Sequence, residues 1–213
     1  MSLLKRIKKL LISNEKTAQI DIEKIADEDF VVLDFETTGL DTAKDSIVEA
    51  CLLPVERGSI LIRNQLYLQI QSDDNSFKAS SIHGILPSDG IMDRRDSLMK
   101  IANYVNGKWM VGHCVGFDFL ILSNHCNALN ISLKVRGLID THQMAIKLEK
   151  TTNFSGDVVP SNYSLKSLCK KYKIPLEEEH TATGDSLATA MLFIKLINLY
   201  KKRKYRVPVT RFE

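Results

Sequence analysis

The sequence predicts an α/β fold with a mixed sheet and helices on both of its faces. Three apolar segments early in the chain, rich in valine, isoleucine and leucine, are typical of strands joined as an antiparallel meander. From about residue 94 onward, helical patterns alternate with a short strand-like segment. Because a meander followed by alternating strands and helices packs as a sheet covered by helices, we expect one layered domain.

The composition is that of an ordinary globular protein. Of the 213 residues, 44% are hydrophobic and 26% are charged, which is enough for a sizeable core. The net charge of +3 permits a polyanionic partner without indicating one. Four scattered cysteines without a CxxC pair favour a reducing compartment, and no apolar run reaches the roughly 20 residues that span a bilayer. We therefore expect a cytoplasmic protein without a membrane span.

The first predicted element is a basic amphipathic helix within an N-terminal extension at 1–28. Its apolar residues recur at helical spacing between lysines and an arginine: Leu3, Leu4, Ile7, Leu10 and Leu11. We expect this helix to pack on the main domain, and contact with a membrane or a partner is the alternative. Strands are then predicted at 30–35, 47–55 and 60–70, with a hairpin turn at 56–59.

The second half is predicted to contain five helices and one short strand. The helices are expected at 94–106, 117–129, 141–148, 164–172 and about 183–200, and the strand at 109–112. Gly156 and Pro160 indicate a flexible loop at 153–162. The main domain would thus span 29–200, and a basic tail would follow at 201–213, expected to be solvated, with a phosphate contact as the alternative.

Two carboxylates lie at the end of the first apolar strand. Asp34 and Glu36 are two residues apart, so the alternation of a strand places both side chains on one face. Two anions about 4 Å apart repel by roughly 1 to 4 kcal/mol, and a bound cation would reverse that sign. An exposed, solvated face is the alternative for this pair alone. The polar turn Thr37, Thr38 and Gly39 follows, and its backbone N–H groups could face a ligand.

Three further candidates occur later in the chain. Asp118 lies among apolar helical residues, where a carboxylate stabilised by the helix dipole is the alternative to a functional role. His180 and Asp185 lie at the start of the last long helix. Because a histidine in a loop five residues before a helical acid can reach the same ligand, His180 is a candidate general base.

Taken in order, these motifs resemble those of the DEDDh 3′–5′ exonucleases, of the proofreading epsilon-subunit type of bacterial DNA polymerase III. The motifs are DFETTG from Asp34, HxxxFD ending at Asp118 and HxAxxD from His180, with SIHGI and SLKSLCKKYKI between them. The resemblance covers about residues 30–200 and implies a ribonuclease H-like fold, with 29–200 as the exonuclease domain. Thr181 occupies the position at which a sister group has tyrosine, so the histidine subtype is indicated.

The resemblance also implies roles for individual residues. Asp34, Glu36, Asp118 and Asp185 would hold two divalent cations, Mg²⁺ or Mn²⁺, because hard oxygen ligands suit those ions. Asp34 would lie between the cations and His180 would activate the attacking water. His83, in SIHGI, would lie near the terminal nucleotide, and Thr37 near its 3′ hydroxyl. The sequence departs from the family at Cys114, where asparagine usually follows the histidine.

A zinc site is the competing prediction for metal binding. Its ligands would be two histidine–cysteine pairs: His113, Cys114, His125 and Cys126. Adjacent residues usually point apart and the spacing lacks a CxxC element, so packing is the favoured role for these residues. His142 is expected to be an ordinary residue at the start of a helix.

The expected function is removal of nucleotides from 3′ ends of single-stranded or frayed DNA. The enzyme would act either in proofreading, as a partner of a DNA polymerase, or as a free-standing repair nuclease. Trimming of RNA ends is the alternative activity, and an inactive scaffold that binds a partner is the alternative class of function. Because aromatic residues make up only 7% of the chain, an extended stacking platform for single strands is not indicated.

Overall fold

The computed structural model describes residues 15–25, 28–71, 91–150 and 159–212. Within these residues the strands are β1 Glu15–Asp21, β2 Phe30–Thr37, β3 Ile47–Glu56, β4 Ser59–Ile60, β5 Leu66–Ile70, β6 Ile91–Met92, β7 Trp109–Gly112, β8 Gly137–Asp140 and β9 Arg206–Phe212. The helices are α1 Ile22–Ile25, α2 Arg94–Val105, α3 Gly116–Ala128, α4 Thr141–Lys150, α5 Leu165–Tyr172 and α6 Ala182–Arg203.

All of these strands belong to one mixed sheet. Its order is β1-β9-β8-β7-β2-β3-β5-β6, and β4 pairs with β3 beside this path. Strands β2, β7 and β8 run parallel, whereas β3 is antiparallel to both β2 and β5. The carboxyl ends of the three parallel strands therefore meet at one edge, where side chains for a site can converge. The predicted mixed sheet is confirmed.

Helices cover both faces of the sheet. Val31, Leu33 and Phe35 of β2 pack with α2 and α3, while Phe30 and Val32 face α4, α5 and α6. Because both faces are covered, β2 and β3 are near-continuous apolar runs. An acid within such a strand is therefore held beside a helix and away from bulk water.

The predicted meander is correct except in its third strand. The turn between β3 and β4 has positive φ at both Arg57 and Gly58, the backbone that a tight two-residue hairpin requires. The predicted strand at 60–70 is interrupted by a 3₁₀ turn at Ile62–Asn64. All three residues of that turn are exposed, so no burial holds them in an extended conformation.

The structure differs from the sequence prediction at residues 15–21 and 201–212. Residues Glu15–Asp21 form a strand rather than part of a helical extension, and they pair antiparallel with Arg206–Phe212. The residues expected to form a solvated tail are instead the end of α6 and strand β9. Within β9, Val207 and Val209 are buried at alternate positions. The surrounding basic residues hid this short period-2 pattern. The predicted helix at 3–11 lies outside the described residues, as do residues 153–158 of the expected loop at 153–162.

No helix among the described residues combines the length and the apolar character needed to cross a bilayer.

Candidate active site

Three of the predicted acids converge at the end of β2. Asp34 and Glu36 project from the same face of that strand, and Asp185 lies in the first turn of α6. One carboxylate oxygen from each of the three residues lies within 4.8 Å of the other two. Helix α6 packs across β2 and β3, so its start is placed directly over the two strand acids.

The start of α6 is shaped by residues just before Asp185. Thr181 caps the helix, since its hydroxyl oxygen accepts a hydrogen bond from the N–H of Gly184 at 3.0 Å. A Cβ atom on Gly184 would lie 2.1 Å from the carbonyl oxygen of Glu178. Glycine is therefore required for the preceding turn to approach the helix closely. This turn fixes where Asp185 enters the site.

Asp118 lies beside this group, in the first turn of α3. Its buried carboxylate accepts a backbone hydrogen bond from Phe35, which lies between the two acids of β2. Burial raises the pKa of Asp118 to about 8, although this hydrogen bond and one from its own N–H lower it. The fourth predicted acid is thus tied to the same strand end as the other three.

The electrostatics of the cluster favour a bound cation. Burial raises the pKa of Asp34 well above its usual range, and the charges of Asp118, Asp185, Glu36 and Glu49 raise it further. The pKa of Asp185 is also raised, mainly by burial. Carboxylates held this close are costly when all are ionised, and a divalent cation relieves that cost. The all-oxygen donor set fits hard cations such as Mg²⁺ or Mn²⁺.

Glu49 is an acid of this neighbourhood that the sequence analysis missed. It is buried on β3 and lies opposite Glu36 in the antiparallel pairing. The sequence feature that could have revealed Glu49 is a single acid inside the apolar run IVEACLLPV. A buried carboxylate is disfavoured in such a run unless it has a partner. Glu49 therefore adds negative charge to the face that carries Asp34.

His180 lies at the entrance of the acid group. It has positive φ, +62°, and its backbone N–H donates to the carboxylate of Asp185. Its side chain is exposed, in contrast to the acids. An imidazole at the solvent side of a carboxylate cluster can exchange protons with water entering the site.

The loop after β2 is folded by short polar contacts. Thr37 donates its hydroxyl to the carbonyl of Gly39 at 2.7 Å, and Thr38 donates to the carboxylate of Asp45 at 3.1 Å. A Cβ atom on Gly39 would lie 2.6 Å from the same carboxylate. Glycine thus permits the loop to close against Asp45. The fourth predicted substrate residue, His83, lies outside the described residues.

Helix α3 supports this loop from behind. Asn124 donates a side-chain hydrogen bond to the carbonyl of Thr42 at 2.9 Å, and His125 Nε2 lies 2.9 Å from the carbonyl oxygen of Asp45. A polar cavity of about 400 Å³ lies between the loop and α3, and Lys44 and Arg94 also line it. Thr38 and Gly39, which follow β2, are therefore connected through this loop to α3, the helix that carries Asp118.

The structure separates the four residues of the alternative zinc site. His125 contacts the loop carbonyl described above, and Cys126 is buried in the core under α2 and α3. Cys114 instead lies near Asp140 and His142, at the ends of β7 and β8. The proposed four-ligand set is therefore wrong, because α3 carries His125 and Cys126 away from the β7–α3 turn.

Comparison with known sequences identifies a family and similar proteins. The family model RNase_T, described as an exonuclease, matches residues 31–193. The DNA polymerase III of PolC type from Staphylococcus aureus is 26% identical over 181 residues, which is 84% of this chain and 12% of that protein. The chain therefore spans only a small part of the curated relatives that it matches.

Solved structures show the same fold. Exonuclease I of E. coli, in complex with a dT13 oligonucleotide, superposes with a TM-score of 0.66 and 16% identity. The match covers 83% of this chain and 42% of that one. A product-bound structure of exonuclease I gives a TM-score of 0.64 over 83% of this chain and 44% of that one, also at 16% identity. With the family model matching residues 31–193, the chain belongs to the RNase_T exonuclease family.

Proposed function

We propose that the protein is a 3′–5′ exonuclease that removes nucleotides from DNA ends in proofreading or repair. The observation that carries this proposal is the convergence of Asp34, Glu36 and Asp185 within 4.8 Å, with the buried Asp118 beside them. Four acids at one strand end are costly unless a bound cation offsets their charge. Their convergence therefore favours a cation-dependent reaction. Membership of an exonuclease family assigns that reaction to phosphodiester hydrolysis.

The four acids would hold two divalent cations, Mg²⁺ or Mn²⁺. Such ions neutralise the phosphate and stabilise charge on the attacking and leaving oxygens. The chain itself contributes fixed carboxylates: two are held by β2, and the other two lie in the first turns of α3 and α6. Because these elements are buried and rigid, the donor oxygens need little reorganisation when the substrate binds.

His180 would act as the general base. Its imidazole would take the proton from the attacking water on the solvent side of Asp185 and return it to solvent after cleavage. The backbone hydrogen bond between the two residues holds them in register during this transfer. An exposed base suits this role, because the proton must leave the site in every cycle.

The terminal nucleotide would lie against the loop that follows β2. Thr37, Thr38 and Gly39 would offer polar groups to the 3′ end, and His83 would approach the same nucleotide. DNA is favoured as substrate because a similar protein is a DNA polymerase III and a structural neighbour is bound to dT13. A DNA polymerase subunit is the corresponding candidate partner.

Digestion of matched 5′-labelled single-stranded DNA and RNA with Mn²⁺ tests this proposal. The wild-type chain should shorten DNA from its 3′ end, and Asp185→Asn should abolish the ladder. Asp96→Asn, an exposed acid of α2, is the matched control and should keep full activity. Shortening of RNA alone would replace the DNA assignment with the exoribonuclease alternative. If the wild type shortened neither DNA nor RNA, the result would favour an inactive scaffold.

A further inference from the structure

A second group of metal-ligand side chains shares no residue with the four acids, although the charge of Asp140 also raises the pKa of Asp118. Cys114 follows β7, Asp140 ends β8 and His142 lies in the first turn of α4. One ligand atom from each residue lies within 4.8 Å of the other two. Because β7 and β8 are adjacent and parallel, their carboxyl ends bring these residues together. None of the three is among the acids proposed for catalysis.

We propose that Cys114, Asp140 and His142 form a separate binding site for Zn²⁺ or a similar transition-metal ion. Sulfur, imidazole and carboxylate are all common zinc ligands, whereas Mg²⁺ prefers oxygen alone. The two sites would thus differ in the class of metal they select. Three protein ligands leave a fourth tetrahedral position for water.

The separation of the ligand atoms fits tetrahedral coordination. With Zn–S near 2.3 Å and Zn–N near 2.0 to 2.1 Å, two ligands at the tetrahedral angle lie about 3.6 Å apart. The Sγ atom of Cys114 and the Nδ1 atom of His142 are 3.6 Å apart. This distance is also short enough for a weak sulfur–imidazole hydrogen bond, and the experiment below distinguishes that contact from metal coordination.

Asp140 orders the other two ligands. One of its carboxylate oxygens accepts the backbone N–H of Cys114 at 3.0 Å and that of His142 at 2.9 Å. Both ligand-bearing segments are therefore fixed to one carboxylate before any metal binds. A site with its ligands already positioned loses little entropy on binding.

The backbone at Cys114 departs from the usual preference of cysteine. Its φ is +64°, a left-handed conformation that asparagine adopts more readily than cysteine does. Asparagine is also the residue usual at this position in the family that the sequence resembles. Local backbone preference thus gives no reason for cysteine here, whereas a thiolate ligand does.

The proposed site would connect two turns that flank the catalytic region. Cys114 precedes Asp118 by four residues, so an ion bound to the thiolate would anchor the turn that leads into α3. His142 would anchor the start of α4 to the same ion. We therefore expect Zn²⁺ to stabilise the fold without supplying the divalent ions of the reaction.

Titration of the full, metal-free chain with Co²⁺ tests the proposal, because a cobalt–thiolate bond gives a charge-transfer absorption that oxygen ligands do not. One equivalent should produce this band, and one equivalent of Zn²⁺ should remove it. Cys114→Asn, which suits the left-handed backbone, and His142→Gln should each lower the affinity at least tenfold. Asp185→Asn and Cys126→Ala should keep the band, since neither alters the three ligands.

A second readout uses the reactivity of the thiol. Zn²⁺ should protect Cys114 from alkylation in the wild type and in Asp185→Asn, but not in His142→Gln. Absence of the cobalt band at equimolar metal, or its persistence in Cys114→Asn, would overturn the proposal and leave a cysteine–histidine hydrogen bond. Circular dichroism of each variant confirms that it is folded. Because Asp185→Asn removes nuclease activity alone, failure of this site and failure of the proposed function are distinguishable.

Discussion

The carboxylate of Asp185 accepts a hydrogen bond from the backbone N–H of His180. This contact depends on the left-handed backbone of His180 and on the capped start of α6. It places His180 at the solvent side of the acids, and it links a candidate ion ligand to a candidate base. The proposed reaction depends on this relationship, and it can be tested from either residue.

Replacement of His180 should reduce turnover without removing metal binding. We expect His180→Ala to lower kcat by roughly 10² to 10⁴, the usual contribution of a general base. His180→Asn is the matched variant. Asparagine tolerates the left-handed backbone, so the hydrogen bond from the backbone N–H to Asp185 is kept while the imidazole is lost. Single-turnover rates and Mn²⁺ titration calorimetry provide the two readouts. Near-normal turnover in both variants would exclude His180 as the base.

Divalent cations should stabilise the folded protein. Because the acids converge only in the folded state, a cation at 100 times its Kd should add about 2.7 kcal/mol to the free energy of unfolding. Differential scanning calorimetry with Mg²⁺ or Mn²⁺ and with EDTA measures this shift in Tm. In Asp34→Asn the shift should be much smaller. An identical Tm for the wild type with and without millimolar Mn²⁺ would contradict a cation site at these acids.

The metal-free protein should lose stability as the pH rises. The pKa of Asp118 is about 8 in the fold, above the roughly 3.9 of an unfolded aspartate, so the native state holds a proton that the unfolded state releases. Below pH 4 both states are protonated and no penalty arises. Between about pH 4 and 8 the penalty grows, and above pH 8 it is constant. Urea unfolding in EDTA across this window should show the decline.

Asp118→Asn should reduce that pH dependence, because the amide does not titrate, while the raised pKa values of Asp34 and Asp185 should account for the slope that remains. Asp96→Asn, on the exposed face of α2, serves as the matched control and should leave the slope unchanged. A variant with the same slope as the wild type would show that Asp118 does not carry the shift. Adding Mg²⁺ should also reverse the decline, since bound cations stabilise the ionised carboxylates.

Gly184→Ala should disturb the entrance of α6. The added Cβ atom would clash with the carbonyl of Glu178 at 2.1 Å, so the turn that holds His180 must move. Gly107→Ala is the matched control, because its φ of +72° costs roughly 1 to 2 kcal/mol while nothing lies within 4 Å of the new atom. We expect the Gly184 variant to lose activity and the control to lose only stability. Equal activity in both would refute the role of this turn.

The acids could be predicted from the sequence because local patterns determine their placement. The alternation of β2 puts Asp34 and Glu36 on one face, and a helical pattern puts Asp185 in the first turn of a helix. Their convergence within 4.8 Å also depends on α6 crossing β2, which no local pattern contains. The three motifs in order supplied that information through a family resemblance.

Short and non-local features were not predictable in the same way. Strand β8 has four residues, Gly137–Asp140, which is too few for a periodic signal, so Asp140 was not connected to Cys114. Strand β9 was hidden because basic residues surround its two buried valines. The pairing of β1 with β9 joins the two ends of the described chain, and only the tertiary fold places them side by side.

The most direct test compares linear and circular single-stranded DNA of the same sequence, in the presence of Mn²⁺. We predict that wild-type protein shortens the 5′-labelled linear strand stepwise from its 3′ end, leaves the circle intact and stops in EDTA. Asp34→Asn should be inactive on both, while Asp96→Asn should match the wild type. Cleavage of the circle, shortening from the 5′ end or full activity of Asp34→Asn would contradict a 3′–5′ exonuclease built on these four acids.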